Sequence, residues 1–259
     1  AADGGNFEAK LSVRGEPIGV LGVQADPLQP LDENEIQLVE QVSDQVAQAL
    51  ETSRLFQQTQ QALSEAQTLF DGSALINRAE SPDELLRVLS ESTVLGEMDQ
   101  VVLEMFDRPW DELPPDFMVN AAIWDRTGAA REAVGTTYRL ADFPYLLEHL
   151  HSDKPMISAD VLADDRMDEN TLRVARDLGI RSMVFWPLTA AGQWFGAIAG
   201  QSSDILRLSQ DNIRLIDSLV EQVANAIQGL RLRQDMQVRL NELNALQRMM
   251  SREAWIAYQ

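Results

Sequence analysis

Two histidines and one acidic loop are the side chains of this 259-residue sequence whose types suit metal binding or proton transfer. His149 and His151 lie in the stretch LLEHLHS. On a helix, residues two apart point about 200° away from one another, so they do not ligate one ion from one face. They read as surface or partly packed residues near a helix end. The loop ADDRMDEN presents Asp164, Asp165, Asp168 and Glu169. Carboxylates suit a hard cation, but the glycine and spacing of a calcium loop are missing, and Asp168 is placed to cap a helix. No metal site is assigned. The sequence contains no Ser-His-Asp, Cys-His, Walker or GxGxxG arrangement and no kinase or cyclase signature, so no catalytic residue is assigned and no enzyme is expected. It contains no cysteine, which excludes disulfides, thiolate catalysis, Cys-ligated zinc and thioether attachment of a cofactor.

The aromatic residues offer a different chemistry, that of a binding pocket. In SMVFWPL, strand alternation sends Ser182, Val184, Trp186 and Leu188 to one face and Met183 and Phe185 to the other. Trp124, Tyr145, Phe185, Trp186, Trp194 and Phe195 are the ligand-pocket candidates, although core packing accounts for the same residues. The sequence identifies no cofactor.

Composition narrows the partners. The net charge of −20 argues against nucleic acid, which needs clustered Lys and Arg. An apolar fraction of 45% is ordinary for a chain that buries a core. No run approaches the roughly 18 to 20 apolar residues that cross a bilayer, and no signal peptide opens the chain. The expected location is the cytoplasm. The opening AADGG, without an initiator methionine, reads as a cut from a larger polypeptide.

The elements that must position these side chains follow from periodicity. Ala9–Val13 and Pro17–Gln24 read as strands turning at Arg14-Gly15-Glu16. After the loop PLQPLDENE, with Asp32 as cap, Ile36, Val39, Val42, Val46, Ala49 and Leu50 make a helical stripe that continues through Leu55, Phe56, Leu63, Leu69 and Phe70 to Gly72. Ser81 and Pro82 start a second helix. Strands are expected at Gln100–Phe106 and Asp116–Trp124, separated by the loop DRPWDELPP, and then in TTYRL and KPMISADV, with a short helix in PYLLEHLH between them. A helix follows with Asp168 as cap and Gly179 as stop, then strands SMVFWPLT and QWFGAIAGQ turning at Ala191-Gly192. The last helix starts near Ser209 and runs past Met250. Its stripe of Ile213, Ile216, Val220, Val223, Ile227 and Leu230 gives way to Met236, Leu240, Leu243 and Met250, a coiled-coil pattern offset by about one residue. Phe56, Leu63, Met236, Leu240, Leu243 and Met250 are the dimer or coiled-coil candidates.

Residues Gly15–Leu50 and Gly192–Ile227 align without a gap at an offset of 177, sharing Gly19, Gln24, Ile36, Gln45, Val46 and Ala47 among others. The earlier copy has too little sequence before it to build a whole domain.

Asp160-Val161, Leu178-Gly179-Ile180-Arg181-Ser182, Pro187-Leu188 and Phe195-Gly196-Ala197-Ile198 together resemble the GAF domain family, over roughly residues 66–232. The resemblance implies an α+β fold: a GAF-like antiparallel sheet with its terminal helices on one face and a small-ligand site on the other, here with long amphipathic connector or coiled-coil helices at both ends. Residues 1–50 resemble only the C-terminal part of such a domain, two strands and the closing helix. Residues 51–70 read as a helical linker, 71–232 as a complete GAF-like domain, and 233–259 as a coiled-coil helix and the start of a following segment.

Family members serve mainly as sensory or dimerisation modules. The resemblance therefore implies a non-catalytic sensory module of a cytoplasmic signalling protein. It would bind a small molecule or pair with itself as a parallel homodimer or higher assembly, and relay through coiled-coil helices to an output domain, such as a histidine kinase, outside this chain. Attachment of a bilin at cysteine is ruled out, and the Asn-Lys-Phe-Asp-Glu pattern of cyclic-nucleotide members is absent. The alternative is a structural repeat that assembles into oligomers or filaments by completing the half domain between copies.

Overall fold

The computed structural model describes residues 6–13, 16–24, 31–128 and 132–257. The expected turn at Arg14-Gly15, the proline loop at 27–30 and the side chain of Met250 lie outside the described residues. The chain divides into two compact units, Ala1–Gln67 and Thr68–Gln259.

In the first unit, β1 (Asn6–Val13) and β2 (Glu16–Gln24) form a two-stranded antiparallel sheet. Helix α1 (Glu33–Ile76) follows, 44 residues long. It opens with a reciprocal cap. Asp32 Oδ1 accepts from the Glu35 N–H at 2.8 Å, and Glu35 Oε2 accepts from the Asp32 N–H at 2.9 Å, so two otherwise unpaired donors are satisfied. The buried residues among those described here are Ala9, Leu11, Ser43 and Ala47. Ile18, Val20, Leu38, Val42 and Leu50 are exposed.

The second unit holds the end of α1, α2 (Pro82–Ser92), β3 (Gln100–Trp110), β4 (Phe117–Asp125), β5 (Thr137–Arg139), α3 (Pro144–His149), β6 (Met156–Ser158), α4 (Glu169–Leu178), β7 (Ser182–Ala190), β8 (Gln193–Ser202) and α5 (Gln210–Ala257). The six strands form one antiparallel sheet in the order β5-β4-β3-β8-β7-β6. This is the expected α+β arrangement. Long-range order puts the last hairpin in the middle of the sheet, so β3 is sandwiched between β4 and β8.

Local chemistry sets the element ends. Ser81 accepts from the Glu84 N–H and Pro82 fills the first turn of α2. Asp168 Oδ1 accepts from the Thr171 N–H at 2.9 Å, and Gly179 closes α4 at φ 68°, the left-handed region where glycine carries no Cβ penalty. Two expectations shift. Strand β3 runs on to Trp110, so the loop expected from Asp107 begins in the strand. Gly72 does not stop α1, which continues to Ile76, because it serves packing: a Cβ there would sit 3.1 Å from Leu219 Cδ2 of α5.

The sheet separates two cores. On one face, α2, α5 and Ile76 of α1 pack Leu85, Leu86, Leu89, Ile216, Leu219 and Val223 against Val101, Leu103, Val184, Trp186, Leu188 and Ile198. On the other, Val102, Phe106, Met183, Phe185, Ala197 and Ala199 pack under the middle segment, with Leu140, Tyr145, Leu146, Val161 and Ala175. The alternation expected for β7 therefore holds residue by residue.

The sequence repeat extends into the hydrogen-bond register. Leu11 pairs with Gly19 and Leu188 with Gly196; Ala9 pairs with Leu21 and Trp186 with Ile198. Each hairpin also has an irregularity at the same step, between Leu11 and Ser12 in one and between Leu188 and Thr189 in the other. Strands β7 and β8 are flanked by β6 and β3, whereas β1 and β2 form a sheet of their own.

Candidate functional site

A cavity of about 60 Å³ lies between the sheet and the segment carrying α3 and α4. Its lower wall is apolar: Met118 of β4, Phe143 just before α3 and Leu146 within it, Ala175 of α4, Ile180, and Met183 and Phe185 of β7. Its upper wall is polar: Glu104 of β3, Gln201 of β8, Tyr138 of β5 and Glu132 from the loop before β5. At roughly 10 to 15 Å³ per water-sized occupant, this volume has room for about four or five heavy atoms.

The polar wall is built on strand register. Glu104 stands opposite Asn120 across β3 and β4. Glu132 accepts from Asn120 Nδ2 at 2.8 Å and from Gln201 Nε2 at 3.5 Å, and it shares a hydrogen bond with the Tyr138 hydroxyl. Glu104 is only 3% exposed. Burial, and secondarily the charge of Glu132, raise its carboxyl well above the ordinary glutamate range. Burial and Glu132 likewise raise Tyr138. Among the described residues, Glu104 Oε2, Asn120 Oδ1 and Gln201 Oε1 are buried without a hydrogen-bond partner. Two of these acceptors belong to residues that line the cavity, Glu104 and Gln201, where the carboxyls of Glu104 and Glu132 already meet.

Beside the cavity, Tyr145 stacks on His149 with ring centroids 4.6 Å apart, and its hydroxyl is pushed up to about 12, mainly by burial. Asp164 binds Arg166 at 2.6 Å and accepts from Ser158 at 2.9 Å; the Arg166 hydrogen bond holds its carboxyl down to about 2. Asp160 pairs with Arg181 at 2.6 Å. These contacts employ the acidic loop in holding the cover segment, and among the described residues no cluster of three or more His, Asp or Glu side chains is arranged for a metal ion.

The six aromatic candidates do not converge. Phe185 lines the cavity. Tyr145 and Trp194 belong to the same core but pack away from the cavity wall, Trp194 stacking on Trp110 at 4.4 Å. Trp124, Trp186 and Phe195 pack on the helix-bearing face. For Trp124 the reason is a bulge: Leu103 pairs with Ala122 but Glu104 with Asn120, so Ala121 is the extra residue and the strand beyond it changes face. Trp186 donates its indole N–H to Asp217 Oδ1 of α5 at 2.6 Å. The Arg231 guanidinium of α5 lies over the Phe195 ring, 5.5 Å from its centroid.

The polar wall was not read from the sequence. Glu104 carries a visible signal, a single charge inside the otherwise apolar run VVLEMF, bracketed by residues that must all be buried. Glu132, Tyr138 and Gln201 carry none, since only the fold brings them to Glu104.

The coiled-coil candidates are exposed in the single chain: Phe56, Leu63, Met236, Leu240 and Leu243 are all exposed, Met236 at 62%. No described helix is long and apolar enough to cross a membrane.

Comparison with known proteins gives a family and a fold. The model of the GAF domain family matches residues 57–227. No curated protein matches the sequence. The structure is similar to the chromophore-binding domain of an unusual bacteriophytochrome from R. palustris, with a TM-score of 0.54 and 10% identity, covering 67% of this chain and 63% of that one. It is similar to the phycocyanobilin-bound GAF domain from a cyanobacterial phytochrome, with a TM-score of 0.53 and 19% identity, covering 65% of this chain and 96% of that one. The chromophore-binding domain of a Stigmatella aurantiaca phytochrome gives a TM-score of 0.50 and 15% identity, covering 63% of this chain and 59% of that one. Likenesses this distant in sequence are likenesses of fold. The chain spans less than two thirds of the length of either bacterial chromophore-binding domain.

Proposed function

This chain belongs to the GAF domain family, and from that premise we propose that it is a non-catalytic sensory module of a cytoplasmic signalling protein. A small molecule occupies the cavity under α3 and α4, and α5 carries the change to an output domain such as a histidine kinase. The observation that carries this reading is the placement of consecutive residues on β7. Met183 and Phe185 line the cavity, and Trp186, the next residue, is tied through the sheet to Asp217 of α5. A displacement of β7 by a ligand is thereby delivered to the helix that leaves the domain.

The cyanobacterial relative is a phycocyanobilin-bound domain. The residues of this chain do not fit such a group, since there is no cysteine to attach it and the cavity has room for only a few heavy atoms. We therefore assign a much smaller ligand. The exposed stripe of Met236, Leu240 and Leu243, spaced four and three apart, supports parallel pairing of two chains through α5, with Phe56 and Leu63 pairing on α1. On this reading residues 71–232 are the working domain, 51–70 the linker and 233–259 the exit helix.

A second reading rests on the shared register of the two hairpins. The half domain at residues 1–50 is completed by a strand and helices from another copy, and the chain is an assembly unit. Light scattering and electron microscopy of the purified chain separate the two. Discrete dimers support the sensory module, monomers at high concentration contradict its pairing, and filaments support the assembly unit.

A further inference from the structure

Among the described residues, the polar wall of the cavity is short of donors. Glu104 Oε2, Asn120 Oδ1 and Gln201 Oε1 are each buried without a partner among the described residues, and all three are acceptors or, for Glu104, a carboxyl oxygen. Asn120 and Glu104 are 0% and 3% exposed, and Gln201 is 8% exposed, so water does not reach them freely. Glu132 Oε2 takes the Asn120 N–H at 2.8 Å and turns the Asn120 carbonyl oxygen away, while the Gln201 N–H reaches Glu132 Oε1 only at 3.5 Å. An unpaired buried polar atom costs about 1–3 kcal/mol, and a fold that leaves two of them on residues lining one cavity, with a third on Asn120 opposite Glu104, is incomplete there.

What completes it must bring N–H donors and positive charge. Two carboxyl groups, Glu104 and Glu132, face one another across the site, and a cation relieves their mutual repulsion while donating to the orphan oxygens. Its body must be apolar and short. The remaining wall is Met118, Phe143, Leu146, Ile180, Met183 and Phe185, and the volume of about 60 Å³ takes on the order of four or five heavy atoms. A metal ion would meet a wall that is mostly hydrocarbon and thioether, a poor environment for a hard cation.

We propose that this cavity binds a small organic cation, an alkylammonium-type ligand whose charged head sits beside Glu104 and Gln201 and whose short alkyl body lies against Phe185 and Met183. This rests on the reading of the domain as a ligand-binding sensor and names the chemical class of its ligand. Glu104 is the specificity-determining residue. Its buried carboxyl is costly when empty and well paired when a cation is present, so the site rejects anions and gains little from neutral alcohols.

Three probes of five heavy atoms each test the class: n-butylammonium, n-butanol and propionate, titrated into the full chain and followed by backbone amide spectra at Met183, Phe185 and Gln201. The expected result is binding of n-butylammonium at least about ten-fold tighter than n-butanol, with no binding of propionate. Glu104→Gln removes that preference by about the same factor, and Glu132→Gln weakens it in the same direction. Equal binding of the three probes, or the same cation preference in Glu104→Gln, overturns the ligand class while leaving the cavity as a ligand site. Shifts with calcium or magnesium chloride at the same amides, without shifts from n-butylammonium, overturn it in favour of a metal. Failure of all three probes to perturb any cavity amide overturns the class and the ligand-site reading together.

Discussion

Trp186 is 1% exposed, and its indole N–H ends on the Asp217 carboxylate of α5 at 2.6 Å. This is a polar link between a cavity-lining strand and the exit helix, set beside the apolar contacts of Val184, Leu188, Ile216 and Val220. Removing the acceptor leaves a buried N–H unpaired. Asp217→Ala should therefore destabilise the domain by about 1–3 kcal/mol in urea unfolding. Trp186→Phe removes donor and packing together, and combining the two changes should cost less than their sum. Full additivity would show that the two residues are not coupled.

Gly19 and Gly196 occupy equivalent places in the two hairpins, and their surroundings differ. A Cβ on Gly196 would run into the Glu104 carbonyl oxygen of the neighbouring strand β3, whereas a Cβ on Gly19 would meet only Leu11 Cδ1, at 3.5 Å. Gly196→Ala should force β3 and β8 apart and cost about 1–3 kcal/mol or more. Gly19→Ala should stay within about 1 kcal/mol. If a strand from another copy docks beside β2, Gly19→Ala gains the same penalty in the assembled state. Thermal unfolding of both variants across a concentration series checks this.

The glycine pair shows how far the sequence could be read. The 177-residue offset, the helix caps at Asp32, Ser81 and Asp168, the stop at Gly179 and the alternation along β7 were all visible, because each depends on residues close together in the chain. The faces taken by Trp124 and Phe195 were not. One turns on a bulge at Ala121, and an inserted residue has no composition signature. The other turns on a second irregularity, where Leu188 pairs with Gly196 but Thr189 with Trp194 and Phe195 is the extra residue. The carboxyl at Glu104 was conspicuous as a charge in an apolar strand, but its partners Glu132, Tyr138 and Gln201 come from three other segments, and only the fold joins them.

Stability should depend on pH with two opposing contributions. Glu104 has a raised folded value, through burial and then Glu132, so its contribution is full below 4.5 and is lost as pH rises through that raised value. Glu132 and Tyr138 face it, and the charge of Glu132 adds to the rise. Asp164 is held at about 2 against 3.8 by its Arg166 hydrogen bond, so its contribution is full above 3.8 and is lost as pH falls toward 2. Urea unfolding of the chain should therefore show stability declining above pH 4.5 as well as in acid. Glu104→Gln should remove the upper decline and keep the acid one. An unchanged upper limb in that variant would assign the decline to another group.

Exposed apolar residues at Met236, Leu240 and Leu243 are the seam expected to pair two chains. Leu240→Lys with Leu243→Lys should shift sedimentation from dimer to monomer and leave unfolding of the sheet domain within about 1 kcal/mol, since neither residue packs in its core. A dimer that survives both lysines would place the contact elsewhere.

The central claim is that the cavity under α3 and α4 is a ligand site that reports through α5. Native mass spectrometry of the protein purified from its natural host reads occupancy and assembly in one spectrum. The account predicts a dimer carrying one small basic organic adduct per chain, lost in Glu104→Gln purified in the same way. An adduct-free monomer, or an adduct retained unchanged by Glu104→Gln, would contradict it.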